Sequence, residues 1–170
     1  MKITVQGEHR LRVPPERAHL TLAATAESGS RGRAVADATR AAQRLADDLA
    51  GLSGVERHSV EAVRVNSFWP SDGQGRRLPE RAVATINLTA DFTDFEQLAA
   101  FTARAGGLDG VRVGWVGWSL TDATLEGLEA ETLTRAIAAA RRRALAMARA
   151  EGGDLVEVEE ISDPGLLSQS

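Results

Sequence analysis

Six stretches of this chain predict β-strands, and in most of them hydrophobic and polar residues alternate. The stretches cover residues 2–8, 18–27, 58–68, 82–92, 111–120 and 155–161. In the fourth, Ala84 and Ile86 alternate with Thr85 and Asn87. A period of two places successive side chains on opposite faces, so that one face can be buried.

Three other stretches carry a helical period. Between Val35 and Leu52 apolar residues recur every three or four positions, which predicts an amphipathic helix. Ser30 is expected to cap its N-terminus, and Gly51 or Gly54 to end it.

Two further helices are predicted, over residues 94–105 and 122–151. The first opens at Thr93 or Asp94, and Thr93 with Glu96 fits a capping box. The element order is therefore ββα-ββα-β-α-β. We expect an α+β fold with three helices on an antiparallel-rich sheet, forming one domain over residues 1–163 and a polar tail over 164–170.

Two prolines, Pro14 and Pro15, separate the first two predicted strands. Proline has no backbone N–H to donate to a ladder, and it favours extended geometry in the residue before it. We interpret the pair as a structural corner and not as a catalytic loop.

The predicted strand at 111–120 is apolar on both faces. One face carries Val111, Val113 and Trp115, and the other carries Val116, Trp118 and Leu120. This pattern indicates burial on both faces. At least one tryptophan then needs a second cover, either a helix or another subunit.

Composition excludes several classes of protein. The chain has 170 residues, the size of one domain, and no cysteine. Its net charge of −4 argues against general nucleic-acid binding, which needs a basic surface. No apolar run is long enough for a membrane span, and the N-terminus lacks the apolar region of a signal peptide, so we expect a cytoplasmic protein.

No catalytic or metal-binding constellation is evident. The histidines His9, His19 and His58 lie in or beside three different strands and lack the spacing of a metal motif. The run "GQGRR" at 73–77 lacks the strand-to-helix context of a phosphate loop and is interpreted as a hairpin tip. We expect no cofactor, no metal and no enzymatic activity.

Three stretches resemble the SIMPL domain family, which is common in bacteria. They are "ITVQGEHRLRVPPERAHLTLAATAE", "NSFWPSDGQGRRLPERAVATINLTADFTDFEQL" and "AIAAARRRALAMARAEGGDLVEVEEIS". The resemblance implies an α+β fold with no well-defined biochemical activity. It also implies possible assembly into oligomers, binding of partner proteins and a role in stress protection.

Two functions are compatible with this pattern. The first is a non-enzymatic, self-associating protein-interaction domain, with Trp69, Trp115 and Trp118 as candidate interface residues and an unidentified protein as a further partner. The alternative is a small-ligand binder or an enzyme with a pocket between sheet and helices. A cleft of converging polar groups with perturbed pKa values would favour the alternative.

Overall fold

A computed structural model describes residues 2–154 and 157–162 of the chain. The contacts divide it into two compact units, Pro15–Leu120 and a unit formed by Met1–Pro14 with Thr121–Ser170. The predicted extent of a single domain, residues 1–163, stays a prediction, and the polar tail at 164–170 lies outside the described residues.

The larger unit contains five strands and two helices. In chain order they are β1 (Arg17–Ser28), α1 (Arg31–Ala50), β2 (Val55–Val60), β3 (Arg64–Phe68), β4 (Arg81–Phe92), α2 (Phe95–Gly106) and β5 (Val111–Ser119). The strands form one antiparallel sheet in the order β2-β4-β1-β5, and β3 also pairs with β4. The α+β class is therefore confirmed.

The two long central strands, β1 and β4, hold the sheet together. They pair without interruption from Ala18↔Phe92 to Ser28↔Ala82. Their alternating pattern puts small and apolar side chains on one face, which we call the inner face. Buried inner-face residues are Ala18, Leu20, Leu22, Ala24, Ala82, Ala84, Ile86, Leu88, Ala90 and Phe92.

Helices α1 and α2 cover the inner face. Helix α1 contacts β1 and β4, and α2 contacts β5 and β4. The predicted stripe of α1 is largely confirmed, because Ala38, Ala42, Leu45 and Leu49 are buried. From α2, Phe101 is buried and packs on Phe92 with ring centroids 5.9 Å apart.

The predicted ends of α1 are correct, and one prediction for α2 is wrong. Ser30 caps α1 by accepting a hydrogen bond from the Arg33 N–H, and Gly51 follows its last turn. Helix α2 is capped by Asp94, which accepts from the backbone N–H groups of Glu96 and Gln97. Since Asp94 occupies the cap position, Thr93 and Glu96 do not form the expected capping box.

The expected strand at 58–68 is two strands. Residues 61–63 interrupt the edge, and β2 and β3 pair with opposite ends of β4. This edge of the sheet is therefore built from two short strands.

The smaller unit contains helix α3 (Asp122–Ala150), which Thr121 caps. The strand predicted at 2–8 is wrong, because described residues 2–14 contain no ladder. The side chains of this segment nevertheless alternate in solvent exposure: from Lys2 to Leu11, exposed and half-buried residues follow one another. Gly7 lies so close to Ala136 and Ala140 of α3 that a Cβ would not fit. The period of two thus reflects half-burial of one side of the segment, which at Gly7 lies against α3, and not pairing with a strand.

The strand predicted at 155–161 is also not observed where the structure describes it. Residues 157–161 form no ladder, and residues 155 and 156 lie outside the described part. Alternation measures half-burial of side chains, whereas a strand also needs a partner backbone for its hydrogen bonds.

Across the described ranges 2–154 and 157–162, no helix is long and apolar enough to cross a membrane. The longest helix, α3, exposes Arg141, Arg142 and Arg143 in its C-terminal half.

Leu45 tests the core between α1 and the sheet. Its side chain is fully buried, so Leu45→Ala should lower the free energy of unfolding by about 2–5 kcal/mol through lost contacts and a cavity. Leu108→Ala, at a leucine that is 42% exposed, is the matched control and should lower it by about 0.5 kcal/mol or less. Urea unfolding followed by far-UV circular dichroism measures both, and equal losses would contradict this description of the core.

Candidate functional site

The outer face of the sheet, opposite α1 and α2, is polar, and a large aromatic side chain stands exposed on its β5 strand. That side chain is Trp115, which is 63% exposed. An exposed indole on a polar face is unusual enough to indicate a binding role.

A β-bulge in β5 places Trp115 on this face. The pairing with β1 runs Leu22↔Val113 and then Leu20↔Val116, so Gly114 and Trp115 together oppose Thr21. The extra residue shifts the alternation by one position, and bulges commonly re-aim a side chain in this way.

The bulge corrects the predicted faces of β5. Val111 and Val113 lie on the inner face, and Val116 and Trp118 lie there too, because their β1 partners are all buried inner-face residues. Trp115 therefore does not share a face with the first two valines. The expectation that Trp115 and Trp118 lie on opposite faces is nevertheless correct.

Thr21 holds the bulge in place. Its hydroxyl oxygen accepts a hydrogen bond from the Trp115 N–H at 3.1 Å and lies 3.3 Å from the Trp115 carbonyl oxygen, to which it donates. The indole ring lies across Gly117, where a Cβ would collide with it. Gly117 thus provides the space in which the ring rests on the sheet.

A row of side chains continues from Trp115 across the sheet. Gly117, His19, Asp91 and Arg57 are directly opposed residues in four neighbouring strands. The His19 ring lies 5.9 Å from the Trp115 ring, and its Nδ1 lies 2.6 Å from an Asp91 carboxylate oxygen. We call Trp115, His19, Asp91 and Arg57 the outer-face row.

Asp91 is the electrostatic centre of this row. Its second carboxylate oxygen accepts hydrogen bonds from the Arg57 Nε at 3.1 Å and from a terminal guanidinium nitrogen at 2.8 Å. Burial raises the pKa of Asp91, but the hydrogen bonds and charges of His19 and Arg57 lower it by more, so the pKa lies below its ordinary value. Asp91 is therefore ionised at neutral pH and fixes both partners.

An open groove lies beside Trp115 on the same face. Thr21, Ala23, Asn87 and Thr89 form its floor, and Trp115, Arg112 and Glu61 contribute to its rim. The groove is on the side away from α1 and α2, so it is not a pocket between the sheet and these two helices.

The other two tryptophans, Trp118 and Trp69, lie away from the outer-face row. Trp118 is 56% exposed and meets Phe95 of α2 edge to face, with centroids 5.0 Å apart. Trp69 lies in the loop between β3 and β4, where the Arg77 guanidinium stacks 4.3 Å from its ring centre. The structure thus brings Trp115 and Trp118 to the β5 edge and leaves Trp69 at the opposite edge of the sheet.

The three histidines are not brought together in the larger unit. His19 is on the outer face, whereas His58 pairs with the inner-face residue Ala90. His9 lies in the smaller unit. Within the described ranges there is no group of three His, Cys, Asp or Glu side chains that could hold a metal ion.

Sequence reasoning missed the outer-face row and the groove. Alternation correctly put His19 and Asp91 on the polar faces of their strands, but they meet only through the register of β1 and β4. Asn87 and Glu61 meet for the same reason, with the Asn87 amide donating to a Glu61 carboxylate oxygen at 3.0 Å.

Gly117→Ala should displace the Trp115 indole. The added methyl group needs the space of the ring, and the exposed ring can move without disturbing the core. We expect a changed near-UV circular dichroism spectrum with an unchanged far-UV spectrum. Gly29→Ala, where a Cβ meets nothing within 4 Å, is the control. An unaltered near-UV spectrum in Gly117→Ala would show that the ring does not rest on Gly117.

Asp91→Asn should destabilise the protein at neutral pH and not in acid. A carboxyl group whose pKa is lowered by folding stabilises the folded state above its unfolded pKa, and this contribution is lost as pH falls through the folded pKa. The stability difference between wild type and Asp91→Asn, from urea unfolding, should therefore shrink below about pH 4. Asp109→Asn, at an exposed aspartate, is the control. A difference that stays constant down to acid pH would contradict the ion pairs of Asp91.

Comparison with known proteins identifies a family and assigns no activity to it. The model of a family described as SIMPL, a protein of unknown function (DUF541), matches residues 3–170. A search of curated proteins finds no match. The matched region spans nearly the whole sequence, and the chain belongs to the SIMPL family.

Proposed function

We propose that this SIMPL domain is a non-enzymatic, self-associating interaction domain whose contact surface is the β5 edge. One observation carries the proposal: β5 pairs with β1 alone in the described chain, and an exposed tryptophan stands on each of its faces. Exposed edge strands offer unpaired N–H and C=O groups to another chain.

The composition of β5 favours a close approach by a second backbone. Gly114 and Gly117 have no side chain that would block a second backbone. Trp115 and Trp118 project from opposite faces of the strand, so each can pack on one face of a paired strand. Tryptophan is enriched among residues that dominate binding energy. Two copies related by a twofold axis could pair β5 antiparallel and bury all four indoles in one isologous contact.

The opposite edge is less suited to such a contact. It consists of the short strands β2 and β3, and charged side chains line it: Arg57 is bound to Asp91, and Arg64 to Glu61. Short strands and charges are the devices by which proteins protect an edge from pairing.

The outer-face row supports binding rather than catalysis. His19 and Asp91 have the geometry of a base and its orienting group, but catalysis of that type also needs a nucleophile beside the histidine. His19 is hydrogen-bonded to Asp91 on one side, and its ring packs against Trp115 on the other. Tryptophan is not a nucleophile. The row therefore serves to fix the indole. A cytoplasmic location, a further protein partner and a role in stress stay predictions.

Replacing either tryptophan of β5 should weaken association. If Trp115 or Trp118 lies in the contact, its change to Ala should cost about 2 kcal/mol or more of association free energy, or about thirtyfold in the dissociation constant. Light scattering should then show a shift toward monomer at a concentration where the wild type is associated, with an unchanged far-UV spectrum.

Trp69→Ala is the matched control because Trp69 is similarly exposed, at 49%, and lies at the opposite edge. It should leave the mass in solution unchanged. A wild-type protein that stays monomeric at high concentration would refute the proposal. If Trp69→Ala dissociates the protein and the β5 variants do not, the contact lies at the β2/β3 edge and the proposal is wrong.

A further inference from the structure

The groove beside Trp115 has the dimensions of a small-ligand site. Its volume is about 440 Å³, within the range of ligand pockets, and it is open to solvent along one side. Its floor is made by small side chains of the two central strands, above all Ala23, which sits between the bulkier outer-face residues.

The rim of the groove offers planar polar groups with unused hydrogen-bonding capacity. Glu61 accepts from Asn87 and from Arg64 on the same carboxylate oxygen, both at 3.0 Å. Its other oxygen and the Asn87 amide oxygen have no hydrogen-bond partner within residues 2–154 and 157–162. Within the same ranges the exposed Arg112 guanidinium also has no ion pair or hydrogen bond.

The charges argue against a strongly charged ligand. Among the described residues that line the groove, two side chains are ionised: Glu61 is already paired with Arg64, and Arg112 is uncompensated. A polyphosphate would need several cations or a helix N-terminus, and no helix contributes to the groove lining. The suitable ligand is therefore neutral or carries a single negative charge.

We propose that this groove binds a sugar ring. The exposed indole of Trp115 offers a flat apolar surface on which the C–H face of a pyranose can stack. Carboxylate, amide and guanidinium groups can each make paired hydrogen bonds, and neighbouring hydroxyls of a sugar both donate and accept them. An open groove lets the remaining hydroxyls stay in water, so they incur no desolvation penalty.

The outer-face row prepares the site for such stacking. Thr21, Gly117 and His19 hold the indole in one orientation, so little rotamer freedom is lost when a ligand binds. This inference rests on the groove and not on self-association: the two would compete for the Trp115 indole, whereas the polar groove residues Asn87, Glu61 and Arg112 serve the sugar alone.

Isothermal titration of the full chain with three soluble saccharides tests the site. The probes are maltotetraose and tetra-N-acetylchitotetraose, which are neutral, and galacturonate, which carries one negative charge. We expect at least one to bind with a millimolar or lower dissociation constant, and Arg112→Ala to weaken any binding of galacturonate. Asn87→Ala and Trp115→Ala should each weaken binding by about tenfold, the effect of one lost hydrogen bond or stacking contact.

Two control variants separate this inference from self-association. Trp118→Ala should retain sugar binding even if it dissociates the oligomer, and Asn87→Ala should retain the oligomer. Thr25→Ala, on the same face but outside the groove lining, should change neither. The inference is overturned if none of the probes binds at millimolar concentration, or if binding is indifferent to both Asn87→Ala and Trp115→Ala.

Discussion

The register between β1 and β4 is the constraint on which the rest of the larger unit depends. The register is unbroken from Ala18↔Phe92 to Ser28↔Ala82. The alanine, leucine and isoleucine side chains of the inner face therefore all point toward α1 and α2. A slip of one residue would turn these side chains to solvent and bury His19 and Asp91. The hydrophobic effect therefore fixes the pairing, and the pairing in turn assembles the polar face.

The bulge opposite Thr21 is the one departure from this regular sheet that bears on function. Without it, Trp115 would share the inner face with Val113 and would not lie beside the groove. One hydroxyl group stabilises the bulge, and one glycine makes room for the ring. The bulge thus places the Trp115 indole beside the polar groove and leaves Trp118 on the inner face.

The sequence predicted those parts of the fold that follow from periodicity along one segment. The alternation of β4 and the stripe of α1 identified the core, and Ser30 marked the start of a helix, because each depends on near neighbours in the chain. Periodicity failed at residues 2–8, where the alternation in exposure is present, Gly7 lies against α3 and no ladder forms. It also failed at Gly114 and Trp115, since a bulge is defined by the partner strand and leaves no mark in the spacing of one strand. The meeting of His19 with Asp91, and of Asn87 with Glu61, depends on register across 72 and 26 positions of sequence, which a single sequence does not specify.

The central claim is that the β5 edge is a contact surface, and concentration-dependent amide hydrogen exchange tests it most directly. If two copies join along β5, the amides of Val111–Ser119 should become more protected as the protein concentration rises, while those of β2 and β3 should not change. Protection of β5 that is independent of concentration, or a rise confined to β2 and β3, would contradict the claim.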